Sequence, residues 1–298
     1  MWWELFDRLT RTESVCVGNH RLILNGRLTI GPKFLYAISI LIVVVSCQSI
    51  VLKLMLESSV LLALIFLALA KTEILLLLSV ALTDPGIVPP KKSATSGRDQ
   101  LTSIVNGTKV DQKWCHMCNV FMPPRGKHCG VCGCCVDKHD HHCKFLSNCI
   151  GVRNYRSFVL LLTNSVLTSA FTLLVMMLRS SPMEAILFWS IVGVSALTFV
   201  LCCNLVAYHG RLILRGSTSY EEYRGFVIDD DQDEFSPPSS NPFSLGSWRA
   251  NLNAFLTTPT EPSRVRSWIT TGKRTGDRSK IGSSEDEMTA VLDASPLA

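Results

Sequence analysis

The segment from Cys115 to Cys149 reads CHMCNVFMPPRGKHCGVCGCCVDKHDHHCKFLSNC and contains 8 of the 12 cysteines in a chain of 298 residues. The spacing C-x2-C-x9-H-x6-C occurs twice in it, and the second copy starts 14 residues after the first. The first copy consists of Cys115, Cys118, His128 and Cys135. The second copy consists of Cys129, Cys132, His142 and Cys149. A C-x2-C pair completed by a later His and Cys is typical of a closed tetrahedral zinc site, so we expect two structural Zn²⁺ ions.

Filling both zinc sites leaves Cys134 and Cys143 without a metal. Cys143 closes the run Asp140-His141-His142-Cys143, in which His142 is a zinc ligand. His141 could accept the proton of the Cys143 thiol, and Asp140 could orient that imidazole. Cys143 is therefore a candidate nucleophile, and an inert buried thiol is the alternative. We expect Cys134 to pack as a small apolar residue. Redox-sensing cysteines are the alternative to the zinc sites themselves.

Long apolar blocks lie on both sides of the cysteine-rich segment. The chain is 47% apolar and 18% charged, with a mean hydropathy of +0.27, which excludes a disordered chain and an ordinary cytosolic enzyme. The blocks span residues 34–52, 60–82, 158–178 and 185–207. Each approaches the ~20 residues that a helix needs to cross a bilayer. The sequence predicts an all-α integral membrane protein with four transmembrane helices and an irregular two-zinc domain between helices 2 and 3. Buried helices of a large soluble core are the alternative.

The distribution of Lys and Arg predicts the orientation in the membrane. The N-terminal segment has 5, residues 84–156 have 11 and the tail after His209 has 10, whereas each short hairpin between helices has one. By the positive-inside rule, the termini and the cysteine-rich domain are cytosolic, where a reducing environment favours metal binding over disulfides. No cleavable signal peptide is recognisable, so endomembranes (endoplasmic reticulum or Golgi) are the expected location. The net charge of +5 reflects these cytosolic segments, and we expect no nucleic-acid partner.

The remaining segments complete the expected organisation. It comprises a cytosolic N-terminal segment (1–33), helices 1 and 2 (34–83), a linker (84–114), the cysteine-rich domain (115–156), helices 3 and 4 (157–208), cytosolic C-terminal motifs (209–256) and a disordered tail (257–298). Residues 241–256 predict a short helix, with a loop as the alternative. Lys71 and Glu73 interrupt the second apolar block. They are either functional residues or side chains that face neighbouring helices or water.

The cysteine-rich segment resembles the DHHC family of protein S-acyltransferases, which are zinc-containing integral membrane palmitoyltransferases. The resemblance lies in the ligand order and in two motifs, Asp140-His141-His142-Cys143 and Asn148-Cys149-Ile150-Gly151, followed by Asn154. Outlying similarities are Asp84-Pro85-Gly86, Thr218-Ser219-Tyr220-Glu221 and, more loosely, residues 241–255.

The resemblance implies a two-step acyl transfer. Cys143 would take a long-chain acyl group from acyl-CoA (palmitoyl-CoA) as a thioester and pass it to cytosolic cysteines of membrane-associated proteins. His141 would act as the base, Asp140 would orient it, and the Ser219 hydroxyl would lie near Asp140. The four helices would surround the acyl chain among membrane lipid.

One departure from the family pattern concerns the two residues after Cys143. The family usually has Pro-Trp there, and this chain has Lys144-Phe145. Phe145 keeps an aromatic wall for the acyl chain, and Lys144 could approach a CoA phosphate, or the change could mark weakened activity. A membrane-anchored zinc scaffold that binds protein partners is the second functional hypothesis. A RING-type ubiquitin ligase is a weaker third, since the final cysteine pair of that pattern is missing.

Overall fold

The computed structural model describes residues 15–90, 101–178, 185–228 and 241–274. Two compact units divide the chain. Unit 1 combines Met1–Phe34, Ala81–Arg153 and Thr260–Ala298, whereas unit 2 combines Leu35–Val80 and Asn154–Pro259. Both units are therefore assembled from segments that are distant in sequence.

The part of the chain that the structure describes contains four helices long and apolar enough to cross a membrane, and they form most of unit 2. They are α1 Phe34–Ser58, α2 Val60–Leu82, α3 Tyr155–Leu178 and α4 Ala185–Arg215. The predicted number of long apolar helices is confirmed. The first, third and fourth helices extend beyond the predicted blocks, because the helical hydrogen bonding continues past the ends of the apolar runs. Lys53 consequently lies inside α1, and a single residue, Ser59, connects α1 to α2.

A stripe of polar side chains on α3 is buried inside unit 2. It comprises Asn164, Ser165, Thr168, Ser169 and Thr172. The Glu73 carboxylate of α2 accepts hydrogen bonds from Ser165 Oγ (2.8 Å) and from Gln48 Nε2 of α1 (3.1 Å). Glu73 thus faces neighbouring helices, one of the two readings that the sequence left open. Lys71 is exposed. Such interhelical hydrogen bonds link helices for which lipid supplies no hydrophobic driving force.

Two shorter helices follow α4 in unit 2, α5 Ser219–Ile228 and α6 Trp248–Thr257. Thr218 and Glu221 form a capping box at the start of α5: Thr218 Oγ1 accepts from the Glu221 N–H (3.2 Å), and the Glu221 carboxylate accepts from the Thr218 N–H (2.9 Å). The Asn251 side chain donates to the Leu214 carbonyl (2.8 Å), which holds α6 against the end of α4. The short helix expected in 241–256 therefore exists, over the second half of that range.

Unit 1 is built from short antiparallel strands, so the expectation of an all-α fold is wrong for this part of the chain. The strands are β1 Val15–Val17, β2 His20–Ile23, β3 Leu28–Ile30, β4 Ile87–Val88, β5 Leu101–Val105, β6 Thr108–Gln112, β7 Trp114–Cys115, β8 Val120–Phe121, β9 Lys127–Cys129, β10 Cys134–Val136, β11 His141–Cys143 and β12 Asn148–Ile150. They pair as β1-β2-β3, β4-β10-β9, β11-β12, β5-β6 and β7-β8. Most of these strands have two to four residues, too few for an alternating hydrophobic pattern to be visible. The expected linker 84–114 likewise contains β4 and the β5–β6 hairpin.

The core of unit 1 joins segments from both ends of the chain. Val17 and Leu22 from the N-terminal sheet pack with cysteines of the central segment and with Val265 and Ile269. The last two residues belong to a further helix, α7 Arg264–Arg274. The expectation of disorder is wrong for this part of the tail, because Val265 and Ile269 lie four residues apart on one helical face and are both fully buried. Residues 275–298 lie outside the described residues.

The Asp84 carboxylate links Ser263, the residue before α7, to the start of the linker and to Arg153. One of its oxygens accepts from the N–H groups of Gly86 (2.9 Å) and Ile87 (2.8 Å). The other accepts from Ser263 Oγ (2.5 Å) and pairs with the Arg153 guanidinium (3.0 Å). Gly86 has φ +111°, a conformation that disfavours side chains, so this turn requires glycine. Asp84-Pro85-Gly86 is therefore a structural junction within unit 1.

Candidate functional site

Two neighbouring hairpins supply the ligands of the first metal cluster. Cys115 and Cys118 come from the β7–β8 hairpin, and His128 and Cys135 lie directly opposite each other in the β9–β10 pair. His128 Nδ1 lies 3.6, 3.3 and 3.8 Å from the sulfurs of Cys115, Cys118 and Cys135. One imidazole nitrogen thus faces three thiol sulfurs.

The second cluster repeats this arrangement one hairpin further along the chain. Cys129 and Cys132 come from the β9–β10 hairpin, and His142 and Cys149 are opposite each other in β11–β12. His142 Nδ1 lies 3.8, 3.2 and 3.6 Å from the sulfurs of Cys129, Cys132 and Cys149. The structure therefore brings together all eight predicted ligands, with the predicted partition between two clusters.

The geometry of both clusters fits a tetrahedral zinc ion. With Zn–S bonds of about 2.3 Å and Zn–N bonds of about 2.0–2.1 Å, a tetrahedron requires nitrogen–sulfur distances of about 3.6 Å. The observed distances scatter from 3.2 to 3.8 Å around that value. Within each cluster, all four ligand atoms lie within 4.8 Å of one another. Three thiolates and one imidazole are a donor set that suits zinc, and a complete set of four protein ligands is typical of structural sites.

The candidate nucleophile lies on the same strand as a metal ligand but on the opposite face. β11 consists of His141, His142 and Cys143, and side chains alternate between the faces of a strand. His141 and Cys143 therefore share one face, and His142 points to the other, where it meets Cys149. The pleat of a three-residue strand separates the thiol from the metal cluster.

Asp140 holds the imidazole of His141 in place. The carboxylate is almost completely buried, and its oxygen lies 2.8 Å from His141 Nδ1. The Asp140 N–H donates to the Ile150 carbonyl (2.8 Å), which anchors the carboxylate to the hairpin. Burial alone lowers the pKa of His141, but the hydrogen bonds with Asp140 and Cys143 outweigh burial and raise that pKa to about 9. An imidazole this basic readily accepts a proton, as a general base must.

Buried hydrogen bonds of Asn148 stabilise the β11–β12 hairpin. Asn148 is opposite Cys143 in the β11–β12 pair, and its side-chain amide donates to the carbonyls of Ala81 (3.2 Å) and Thr83 (2.9 Å). Its oxygen lies 3.3 Å from Nε2 of His20, a residue of the N-terminal sheet. Sequence reasoning missed His20, because nothing in its local sequence indicates a contact with a residue 128 positions away.

Cys134, the other cysteine left without a metal, is buried against His20. Its sulfur lies 3.7 Å from His20 Nδ1. Burial raises the pKa of the Cys134 thiol and lowers the pKa of His20, so both groups are uncharged at neutral pH. Cys134 is therefore buried as expected, with a histidine neighbour that the sequence did not indicate.

The remaining predicted site residues occupy different places. Lys144 and Phe145 lie in the turn between β11 and β12, and the Phe145 ring is 69% exposed. Ser219 is the first residue of α5 in unit 2. The structure therefore brings together Asp140, His141 and Cys143 within unit 1.

Comparisons with known proteins agree with this geometry. The family model described as DHHC palmitoyltransferase matches residues 108–225. The chain is 34% identical to palmitoyltransferase ZDHHC5-B of Danio rerio over 155 residues, which is 48% of this chain and 24% of that protein. It is 33% identical to palmitoyltransferase ZDHHC8 of Mus musculus over 199 residues, 61% of this chain and 24% of that protein. With palmitoyltransferase ZDHHC14 of Homo sapiens, the identity is 32% over 184 residues, 54% of this chain and 35% of that protein.

Each match covers only part of the relative. The chain spans 35% or less of the length of these three curated relatives. Both kinds of comparison support the DHHC palmitoyltransferase family, and the matched region contains the metal ligands and the Asp140–Cys143 run.

Proposed function

We propose that the chain is a protein S-acyltransferase that moves a long-chain acyl group from acyl-CoA to cysteines of membrane-associated proteins through a Cys143 thioester. The observation that carries this proposal is the geometry of β11. Cys143 stands outside both metal clusters, on the face that it shares with His141, and Asp140 holds that imidazole. The similarity to palmitoyltransferases over residues 108–225 supports it.

The first half of the reaction loads the enzyme. The Cys143 thiol gives its proton to His141, and the resulting thiolate attacks the carbonyl carbon of the acyl-CoA thioester. A carbon–sulfur bond to Cys143 forms, the carbon–sulfur bond to CoA breaks, and the departing CoA thiolate takes up the proton from His141. Asp140 keeps the imidazole oriented and stabilises its charged form.

The second half transfers the acyl group to protein. A substrate cysteine gives its proton to His141 and attacks the acyl carbon, and Cys143 leaves as a thiolate that recovers the proton. Thioester exchange needs no other reactant, because one thioester replaces another. A membrane setting suits the reaction: each CH₂ group of the chain that stays in hydrocarbon contributes about 0.8 kcal/mol to binding.

Two Zn²⁺ ions, bound by the eight clustered ligands, would hold the hairpins that present the Asp140–Cys143 run. Both ligand sets are complete, so the ions would supply structure rather than an activated water. Acyl transfer would be carried out by Cys143, His141 and Asp140.

Acyl-CoA contacts are proposed from the family resemblance. Lys144 would approach a CoA phosphate and Phe145 would flank the acyl chain; both side chains are exposed in the turn after Cys143. Ser219 keeps the hydroxyl of the family's Thr-Thr-x-Glu motif. Within the family, we propose a particular resemblance to the human member numbered twenty-four, which is itself atypical.

The orientation in the membrane is also a proposal. The Lys and Arg distribution favours cytosolic termini and a cytosolic unit 1 in the endoplasmic reticulum or Golgi. Asn106 lies at an exposed turn between β5 and β6 and begins the glycosylation sequon Asn106-Gly107-Thr108. We expect no glycan there in cells, whereas a sequon inserted at Ser59 should be modified. A glycan on Asn106 would show that the proposed orientation is wrong.

The test of the proposed activity is acylation of the purified protein. After incubation with labelled palmitoyl-CoA, the chain should carry label that neutral hydroxylamine removes, since thioesters are cleaved by it. Cys143→Ala should abolish the label, and Cys47→Ser, which changes an exposed cysteine of α1, should not. Equal labelling of wild type and Cys143→Ala would reject the assignment.

A membrane-anchored zinc scaffold is the second candidate function. It is suggested by the replacement of Pro-Trp by Lys144-Phe145. A scaffold would bind its protein partners equally well with Ala at position 143. Loss of labelling in Cys143→Ala, together with loss of substrate acylation in cells, would favour the enzyme over the scaffold.

A further inference from the structure

Three consecutive hairpins of unit 1 have the same strand register at intervals of 14 residues. Cys115 pairs with Val120 in β7–β8, Cys129 with Cys134 in β9–β10, and Cys143 with Asn148 in β11–β12. Each of these three cysteines is the last residue of the first strand of its hairpin. In the described part of unit 1, the hairpin that carries the metal-ligand repeat therefore occurs three times.

The turns of the three hairpins also correspond. Each has four residues, 116–119, 130–133 and 144–147. The last residue of each turn has a positive φ, +51° at Asn119, +62° at Gly133 and +50° at Ser147. Left-handed backbone is uncommon outside glycine, so its recurrence at one repeat position indicates a single turn geometry in all three hairpins.

This geometry supplies a metal-binding pair in the first two hairpins. Cys115 and Cys118 use it in the first, and Cys129 and Cys132 use it in the second. In the third hairpin, the first position of the pair is Cys143 and the second is Leu146. Both are buried, with exposures of 8% and 4%, like the four cysteines to which they correspond.

The later ligands of a third site are missing as well. In each metal cluster, the next hairpin adds a His and a Cys, at 13 and 20 residues after the first cysteine. The same spacing from Cys143 leads to Arg156 and Thr163, both in α3. The third copy of the pattern therefore retains one thiol out of four ligands.

We infer that Leu146, together with the missing later ligands, keeps Cys143 free of metal, so that the first position of a zinc-binding hairpin serves as a nucleophile. A cysteine at position 146 would complete the C-x2-C pair on a backbone that already binds metal twice in this chain. His141, on the same face of β11 as Cys143, would offer a third ligand. Leu146 is thus a specificity-determining residue that selects acyl transfer over metal binding at this hairpin.

The experiment compares the metal content and the acylation of full-length variants under reducing conditions. Leu146→Cys should bind one Zn²⁺ per chain more than the two expected for wild type. It should also lose at least about 10²-fold in the rate of acyl-enzyme formation, since a metal-bound thiolate no longer attacks the thioester. Brief treatment with a mild chelator should remove the extra ion and restore acylation. Leu146→Ala, which opens similar space without adding a ligand, should keep the wild-type zinc content.

The metal count decides the inference independently of activity. A folded Leu146→Cys protein with unchanged zinc content would overturn it, whatever its acylation rate. If Leu146→Cys does not fold, Leu146→His offers an imidazole at the same position, and its zinc content gives the same decision. The acylation arm rests on the proposed function. A wild-type protein that binds zinc but forms no thioester would reject that function, while the extra ion in Leu146→Cys would still support the role of Leu146.

Discussion

The two units of the chain are ordered by different interactions. Unit 1 contains strands of two to five residues, and its hairpins are joined by eight buried or half-buried metal ligands. Unit 2 contains helices of 23 to 31 residues whose apolar side chains are largely exposed, as expected for surfaces that face lipid. The fold of unit 1 therefore follows from the spacing of its candidate metal ligands. The fold of unit 2 follows from its apolar helices and from a few polar contacts between them. The candidate active site lies in the unit that contains both candidate metal clusters.

The largest expected effect is the loss of metal from unit 1. Cys118→Ala removes one of four ligands of the first cluster, and a structural zinc contributes on the order of 10 kcal/mol to the folding of a small metal domain. We expect loss of zinc and rapid proteolysis of unit 1, while circular dichroism should show that the long helices of unit 2 persist. Met117→Ala, at an 80% exposed position of the same turn, is the matched control. Melting of both units together would show that they are not ordered separately.

The next comparison is between the two faces of β11. His142→Ala should lose zinc from the second cluster, since His142 is one of its four ligands. His141→Ala should keep both ions but slow thioester formation by about 10²–10⁴-fold, the usual contribution of a positioned acid–base group. Zinc analysis and single-turnover acylation, measured on the same samples, separate the two outcomes. A His142→Ala protein with its full complement of zinc would mean that the ligands are wrongly partitioned.

A smaller effect is expected at the junction between Asp84 and α7. Asp84→Ala removes the partner of the Arg153 guanidinium and should cost about 3–5 kcal/mol, because it leaves a charge unpaired in a largely buried site. Ser263→Ala removes a hydrogen bond to Asp84 and the cap at the start of α7, where Ser263 Oγ accepts from the Arg266 N–H (3.1 Å). It should cost about 1–2 kcal/mol.

Hydrogen exchange of the α7 amides measures this junction. Exchange should accelerate in both variants, and more in Asp84→Ala. Thr270→Ala changes an exposed residue of the same helix and serves as the control. Unchanged protection of α7 in Asp84→Ala would show that the apolar contacts of Val265 and Ile269 suffice to hold the helix.

The smallest effect is expected within unit 2, at Glu73. Glu73→Ala removes the hydrogen bonds from Ser165 and Gln48, and interhelical hydrogen bonds in membranes average about 0.6 kcal/mol each. Thermal unfolding in detergent should therefore shift only slightly. Lys71→Ala, at an exposed position two residues away, should leave it unchanged. A loss of several kcal/mol in Glu73→Ala would indicate that unit 2 also depends on a buried polar site.

The same contrast explains how much could be predicted from the sequence. The four membrane helices follow from hydropathy, and the eight ligands follow from spacing, because each property is carried by neighbouring or regularly repeated residues. The strands of unit 1 are too short to show a pattern, so the structure was needed to place His141 and Cys143 on one face of β11. The contact of His20 with Asn148 spans 128 positions and has no local signal.

The C-terminal helix shows why composition misled the prediction for the tail. Residues 264–274 are rich in Arg, Ser and Thr, which is typical of a disordered segment. Val265 and Ile269, with the partly buried Trp268, are enough to pack one face of α7 into a core that other segments share. A small unit joined by metal ligands needs few apolar residues from each segment, and hydropathy therefore underestimates its extent.

The most direct test of the central claim is to locate the acyl group while counting the metal. The purified chain is incubated with palmitoyl-CoA, its peptides are mapped by mass spectrometry, and zinc is measured in the same sample. We predict a hydroxylamine-sensitive acyl group on Cys143 in a protein that still holds two zinc ions, since Cys143 belongs to neither ligand set. An acyl group on a different cysteine, or acylation of Cys143 only after loss of zinc, would contradict the account.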